Sequence, residues 1–167
     1  MKKLLALAVV ILGFTAVSFG QNSVNTSVTS SATIIGPLSV TKTGNLDFGS
    51  IVPGAAASHV VLSANAAATR TPDGTTTCIG TFSNVKFDVG GQTGASYSIT
   101  YPATVSLDLA SAPSMIATLS CSTGKTGNLI TAVPTFYIGA SLAVGTAATQ
   151  TAGLYKNTGF AVTVAYE

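Results

Sequence analysis

Few side chains in this sequence could carry out acid–base, nucleophilic or metal chemistry, and they are widely spaced. His59 is the only histidine, so a Ser–His–Asp or Cys–His arrangement would have to use it. The acidic residues stand singly: Asp47, Asp73, Asp88, Asp108 and Glu167. None begins a calcium-binding loop, and a carboxylate pair of the glycosidase kind would require two of them to meet through the fold. We therefore predict no enzyme activity and no cofactor.

Cys78 and Cys121 are the two cysteines, and three states are open to them. In an oxidising compartment an even pair is most simply one disulfide, and closing a loop of this length would remove about 4 kcal/mol of unfolded-chain entropy. The second state is two free thiols. The third is a metal site with His59, but three ligands without close spacing are weak evidence for a metal. We predict the disulfide and no metal.

The first twenty residues have the pattern of a secretory signal peptide. Lys2 and Lys3 precede an apolar stretch over residues 4–14, and Ser18 and Gly20 place small side chains before a cleavage point at Gln21. A membrane anchor is the alternative, but the stretch is shorter than the roughly 20 apolar residues that a bilayer requires. We predict secretion to the periplasm, the cell surface or the medium, with no stable membrane insertion.

Removal of this signal changes the charge of the protein. The whole chain has 7 basic and 5 acidic side chains, and loss of Lys2 and Lys3 leaves equal numbers. A neutral surface provides no electrostatic footprint for nucleic acid. Low charge also leaves little repulsion between copies, which favours self-association or a partner on the cell surface.

Alternating apolar residues predict β-strands along the rest of the chain, and no segment indicates a convincing helix. Val85, Phe87 and Val89 alternate with polar residues, as do Tyr97 and Ile99 beyond the glycines at 90–94, so we predict that these two strands form a hairpin. Further strands are predicted at residues 33–40, 46–51, 59–62, 105–109, 115–121, 135–144 and 154–166, whereas 64–77 is predicted to be the least ordered part. About eight short strands predict a single all-β domain over residues 33–167, an antiparallel β-sandwich.

The C-terminal strand has the clearest pattern of all. Its larger side chains recur at every second position: Phe160, Val162, Val164 and Tyr166. A period of two places them on one face of a strand, and we predict that this face is part of the core.

Several segments resemble a secreted bacterial family known as domain of unknown function 4402. They are residues 46–54 (LDFGSIVPG), 97–102 (YSITYP), 138–145 (IGASLAVG) and 152–155 (AGLY), together with the C-terminal strand. The LDFG element at residues 46–49 and the GLY and VTVAY elements at residues 153–155 and 162–166 are also similar to the spore coat protein U family of pilus subunits. That similarity implies an immunoglobulin-like fold and a periplasmic chaperone as a partner, and it brings no catalytic residues.

Residues 21–32 are predicted to form an extended N-terminal arm. Positions that could be donated to another subunit share one side of it and of the residues just beyond: Val24, Thr26, Val28, Ala32 and Ile34. In strand addition, such a segment pairs with an open sheet edge on the next copy. A frayed terminus is the alternative interpretation.

The sequence therefore predicts a secreted structural or cell-surface protein, a pilus-like or filament-like subunit that assembles by strand addition. One alternative is a monomeric sandwich whose loops bind a glycan or a surface protein, with Tyr137 or Tyr155 as an aromatic platform. Another is an outer-membrane barrel, for which the strands are too short and the aromatic residues too few.

Overall fold

The structure is a computed structural model that describes residues 23–129 and 134–167. The predicted signal peptide, residues 1–20, lies outside the described residues, as do the first two residues of the predicted arm. The compact unit that carries the strands spans residues 35–167. Residues 23–34 belong to a separate unit and contain no helix or strand.

Within the described residues, this compact unit contains twelve strands and no helix. They are β1 (Ser39–Thr43), β2 (Ser50–Val52), β3 (Ser58–Leu62), β4 (Arg70–Pro72), β5 (Thr77–Ile79), β6 (Val85–Gly90), β7 (Ser96–Thr100), β8 (Thr104–Leu107), β9 (Met115–Cys121), β10 (Thr126–Asn128), β11 (Thr135–Val144) and β12 (Thr163–Tyr166).

The long strand β11 organises the larger sheet. Its first residues pair with β6 and its last residues pair with β3, on the same edge, while β9 pairs along its opposite edge. β1 extends the sheet beyond β6, β4 extends it beyond β3, and β8 extends it beyond β9. All of these pairings are antiparallel.

Two smaller sheets complete the unit. One has the strand order β10-β7-β12, so the C-terminal strand pairs with a strand from the middle of the chain. The other is a two-stranded ribbon of β2 and β5. The prediction of an all-β antiparallel sandwich is confirmed.

The core contains the inward-facing residues of the larger sheet and of the three-stranded sheet. Phe87 and Phe136 are cross-strand partners on β6 and β11, and their rings stack with centroids 4.9 Å apart. The largest fully buried side chains are Tyr97, Phe136, Leu62, Ile99, Ile138, Leu142, Val60 and Val89. Their alternation with more exposed neighbours is the sequence pattern that predicted the strands.

Several details of the predicted fold are wrong. The strand predicted at residues 33–40 begins only at Ser39, and the strand predicted at residues 46–51 begins only at Ser50. β6 and β7 do not form a hairpin, because β6 pairs with β1 and β11 whereas β7 pairs with β10 and β12. The glycine-containing link between them instead connects the two sheets, so their apolar faces share one core. Residues 64–77 were predicted to be the least ordered part, yet they contain β4, which backbone pairing with β3 holds in place.

Candidate functional site

Residues 23–34 present aliphatic side chains to solvent. Val24 is 84% exposed, Val28 is 85% exposed and Ile34 is 96% exposed, and the side chains of Thr26 and Ala32 are exposed as well. The segment contains no charged residue. Exposed aliphatic groups at every second or fourth position, without charges between them, are suited to pairing as a strand with an apolar surface.

The C-terminal strand lies against the core through its larger residues. Phe160, Val162, Val164 and Tyr166 are partly buried and pack against the core, and the residues between them are exposed. The strand predicted at residues 154–166 is wrong in its extent, because regular pairing with β7 begins only at Thr163 and residues 159–162, including Phe160 and Val162, belong to no strand.

The hydroxyl of Tyr166 joins three distant parts of the domain. It donates a hydrogen bond to the carbonyl oxygen of Gly36 at 2.8 Å and accepts one from the backbone N–H of Gln92, also at 2.8 Å. Gly91 is next to this contact, and a Cβ atom there would lie 2.5 Å from the hydroxyl oxygen. The side chain of Tyr166 therefore fixes the point where the chain enters the domain.

An apolar groove opens between β1 and residues 159–162. It has a volume of about 130 Å³. Its lining residues are Lys42, Asn45, Leu46, Val85, Phe87, Gly159, Phe160 and Val162. β1 is the end strand of the larger sheet, and all five of its side chains are exposed. The groove thus lies between an edge of the larger sheet and the unpaired approach to the C-terminal strand.

The sequence model of the family described as Domain of unknown function (DUF4402) matches residues 38–166. The chain belongs to the DUF4402 family. The matched region begins at Leu38, so the arm precedes the DUF4402 region, whereas the groove and Tyr166 lie within it. No curated protein and no solved structure matches the chain. Among the described residues, no helix is long and apolar enough to span a membrane.

The structure differs from the disulfide prediction, because both cysteines are free thiols. Cys78 lies opposite Ile51 in the two-stranded ribbon, whereas Cys121 lies opposite Ile138 in the larger sheet. Burial raises the pKa of the Cys78 thiol, and the positive charge of Arg70 lowers it to a smaller extent. The even cysteine count predicted a bond between two strands that this DUF4402 fold places in separate sheets.

The metal alternative required His59 to meet the two cysteines. The structure instead places the Nδ1 atom of His59 3.5 Å from a carboxylate oxygen of Asp73, with both side chains mostly exposed. In the part of the chain that the structure describes, no group of three potential ligands could hold a metal ion.

The carboxylates of the four aspartates accept hydrogen bonds within the domain. Asp47 accepts the N–H of Gly49 at 2.8 Å, and Asp73 accepts the N–H of His59 at 2.6 Å. Hydrogen bonds from the hydroxyl of Thr135 and the ammonium of Lys86 lower the pKa of Asp88. Hydrogen bonds from the hydroxyls of Ser106 and Ser114 lower the pKa of Asp108. These carboxylates organise turns and strand faces.

Arg70 has a structural role that the sequence did not reveal. Its guanidinium donates to the carbonyl oxygens of Phe48 at 2.7 Å and of Ile79 and Gly80 at 3.3 Å each, and it lies 4.6 Å from the ring centroid of Phe82. These contacts connect β4 with the motif at residues 46–54 and with the end of β5. A lone arginine inside a segment that lacks a strand pattern was the only available signal.

The two tyrosines of the predicted aromatic platform lie on separate elements. Tyr137 is a partly buried residue of β11, opposite Lys86 of β6. Tyr155 is also partly buried, and its hydroxyl donates to the carbonyl oxygen of Thr151 at 2.9 Å. Leu154, beside Tyr155, is 76% exposed and is the more prominent apolar side chain of that loop.

Proposed function

We propose that this DUF4402 protein is a secreted structural protein of the cell surface, whose copies assemble into filaments by strand addition through the N-terminal arm. The observation that carries the proposal is the high exposure of Val24, Val28 and Ile34 in an uncharged segment ahead of a β-sandwich. A monomer gains nothing from these solvent-exposed aliphatic groups, whereas burial against a second copy would remove them from water.

Charge and family resemblance support the proposal. The chain downstream of the predicted signal has equal numbers of basic and acidic residues, so repulsion between copies is weak. The similarity of residues 46–49, 153–155 and 162–166 to spore coat protein U pilus subunits points to the same kind of assembly, with a periplasmic chaperone as a partner. Intact mass of the secreted protein tests the export step, and the expected N-terminal residue is Gln21.

The test of assembly compares the secreted chain with a variant that lacks residues 21–32. Size-exclusion chromatography and negative-stain electron microscopy should show polymers for the full chain and none for the deletion. A second variant replaces Val24, Val28 and Ile34 with serine, and its matched control replaces Asn25, Ser27 and Thr29 with alanine. Only the serine variant should lose polymers, because only its changes affect the aliphatic side of the arm.

Monomers at high concentration for the full chain, with no filaments on producing cells, would contradict the assembly proposal. The function would then be that of a monomeric sandwich that binds a glycan or a surface protein through its loops. The exposed side chain of Leu154 beside Tyr155 is the observation that favours this second function.

A further inference from the structure

The groove between β1 and residues 159–162 has the properties of an acceptor site for a strand. Two of its lining residues, Val85 and Phe87, are buried core residues of β6. The other apolar walls are Leu46, Phe160 and Val162. A chain segment lying in this groove would therefore place its side chains directly against the core.

We propose that this groove receives the N-terminal arm of a second copy of the protein, an inference that rests on the proposed assembly by strand addition. The arm pairs with the free edge of β1 and inserts alternate side chains toward Val85 and Phe87. Val28 is the residue that enters the groove, because the arm continues on both sides of it and pairing can extend in both directions.

Other edges of the larger sheet are less suited to the arm. β4 ends with Pro72, which has no backbone N–H to donate. β8 is followed by a bridge between Asp108 and Lys156, whose backbone groups bond to each other at 3.0 and 3.1 Å. By contrast, β1 pairs with β6 alone among the described residues and carries no proline. The edge of β1 therefore offers unpaired backbone groups.

Size and chemistry also match the arm to the groove. The volume of about 130 Å³ is close to that of apolar cavities that hold a benzene molecule, so the groove can accommodate one aliphatic side chain. Twelve residues of extended arm span about 40 Å and the five-residue edge of β1 about 17 Å, so the arm can cover this edge and still reach back to its own domain. The arm has no charge, and the only charged residue that lines the groove is Lys42.

Photo-crosslinking of the secreted full chain tests the inference. Benzoylphenylalanine replaces Val28, unlabelled and nitrogen-15-labelled copies are mixed, and mass spectrometry maps the peptides joined between copies. The expected adducts lie at residues 42–46 or 159–162. The matched control carries the same group at Thr29, which has the opposite parity and should give few of these adducts.

Blocking the groove provides an independent measurement. Asn45→Trp places a bulky side chain at the groove and should raise the concentration needed for polymer formation about tenfold, a loss of about 1.4 kcal/mol. Thr118→Trp, on the exposed face of β9, should leave that concentration unchanged.

The outcomes separate this inference from the proposed function. Polymers whose adducts lie at residues 70–72 or 104–107, with normal assembly of Asn45→Trp, would overturn the groove assignment and leave strand addition in place. An unmodified chain that stays monomeric and gives no adducts would overturn both.

Discussion

Substitution of Tyr166 by phenylalanine tests whether the C-terminal hydroxyl holds the domain together. The change keeps the ring that packs against the core and removes the hydrogen bonds to Gly36 and Gln92, each 2.8 Å long. A net hydrogen bond contributes about 0.5–1.5 kcal/mol, so the two together give about 1–3 kcal/mol. We expect the free energy of unfolding to fall by about 2 kcal/mol, and the thermal midpoint by roughly 6–10 °C.

Urea denaturation followed by circular dichroism measures this loss. Tyr155→Phe is the matched control, because its hydroxyl makes one hydrogen bond, to Thr151 within the same exposed loop. The control should cost less than about 1 kcal/mol. In Tyr166→Phe, hydrogen exchange at the amide of Gln92 should also become faster. If the two variants have equal stabilities and the Gln92 amide exchanges at the wild-type rate, the role assigned to Tyr166 is wrong.

Three further predictions concern the rest of the domain. Removal of residues 162–167 discards three core-facing side chains, each worth up to about 1.5–3 kcal/mol when fully buried, so the truncated chain should not fold stably, as judged by circular dichroism and solubility. Arg70→Lys should cost about 1–3 kcal/mol in urea denaturation, because an ammonium cannot reach three carbonyl oxygens and also stack on Phe82. The pKa values of Asp88 and Asp108 are lowered in the folded state, so their stabilising contribution is present above the ordinary carboxyl pKa of about 4 and is lost as pH falls through the folded values. Thermal midpoints measured between pH 6 and pH 2 should therefore fall less in the Asp108→Asn variant than in the wild type.

Local patterns in the sequence predicted the positions of strands better than they predicted which strands pair with each other. The alternation from Met115 to Cys121 predicted β9 with its observed bounds, because residues 115, 117 and 119 are buried and the residues between them are exposed. The glycines at 90–94 could not show whether their flanking strands pair or separate, since both arrangements need a flexible link. The pairing is decided by β1, β10, β11 and β12, which lie far away in sequence.

The candidate site was only partly accessible from the sequence for the same reason. Val24 and Val28 were identifiable because periodicity is a local property. The groove depends on Lys42 and Phe160 lying across from each other, and no local pattern connects those positions. The disulfide prediction used the number of cysteines and the expected oxidising compartment, neither of which shows that the fold places Cys78 and Cys121 in different sheets.

The hydrogen bond between Tyr166 and Gly36 spans 130 positions, so one partner is synthesised long before the other. At typical ribosomal rates, the two residues are made on the order of ten seconds apart. Through that interval β7 lacks its partner β12, and an unpaired strand edge can pair with another chain.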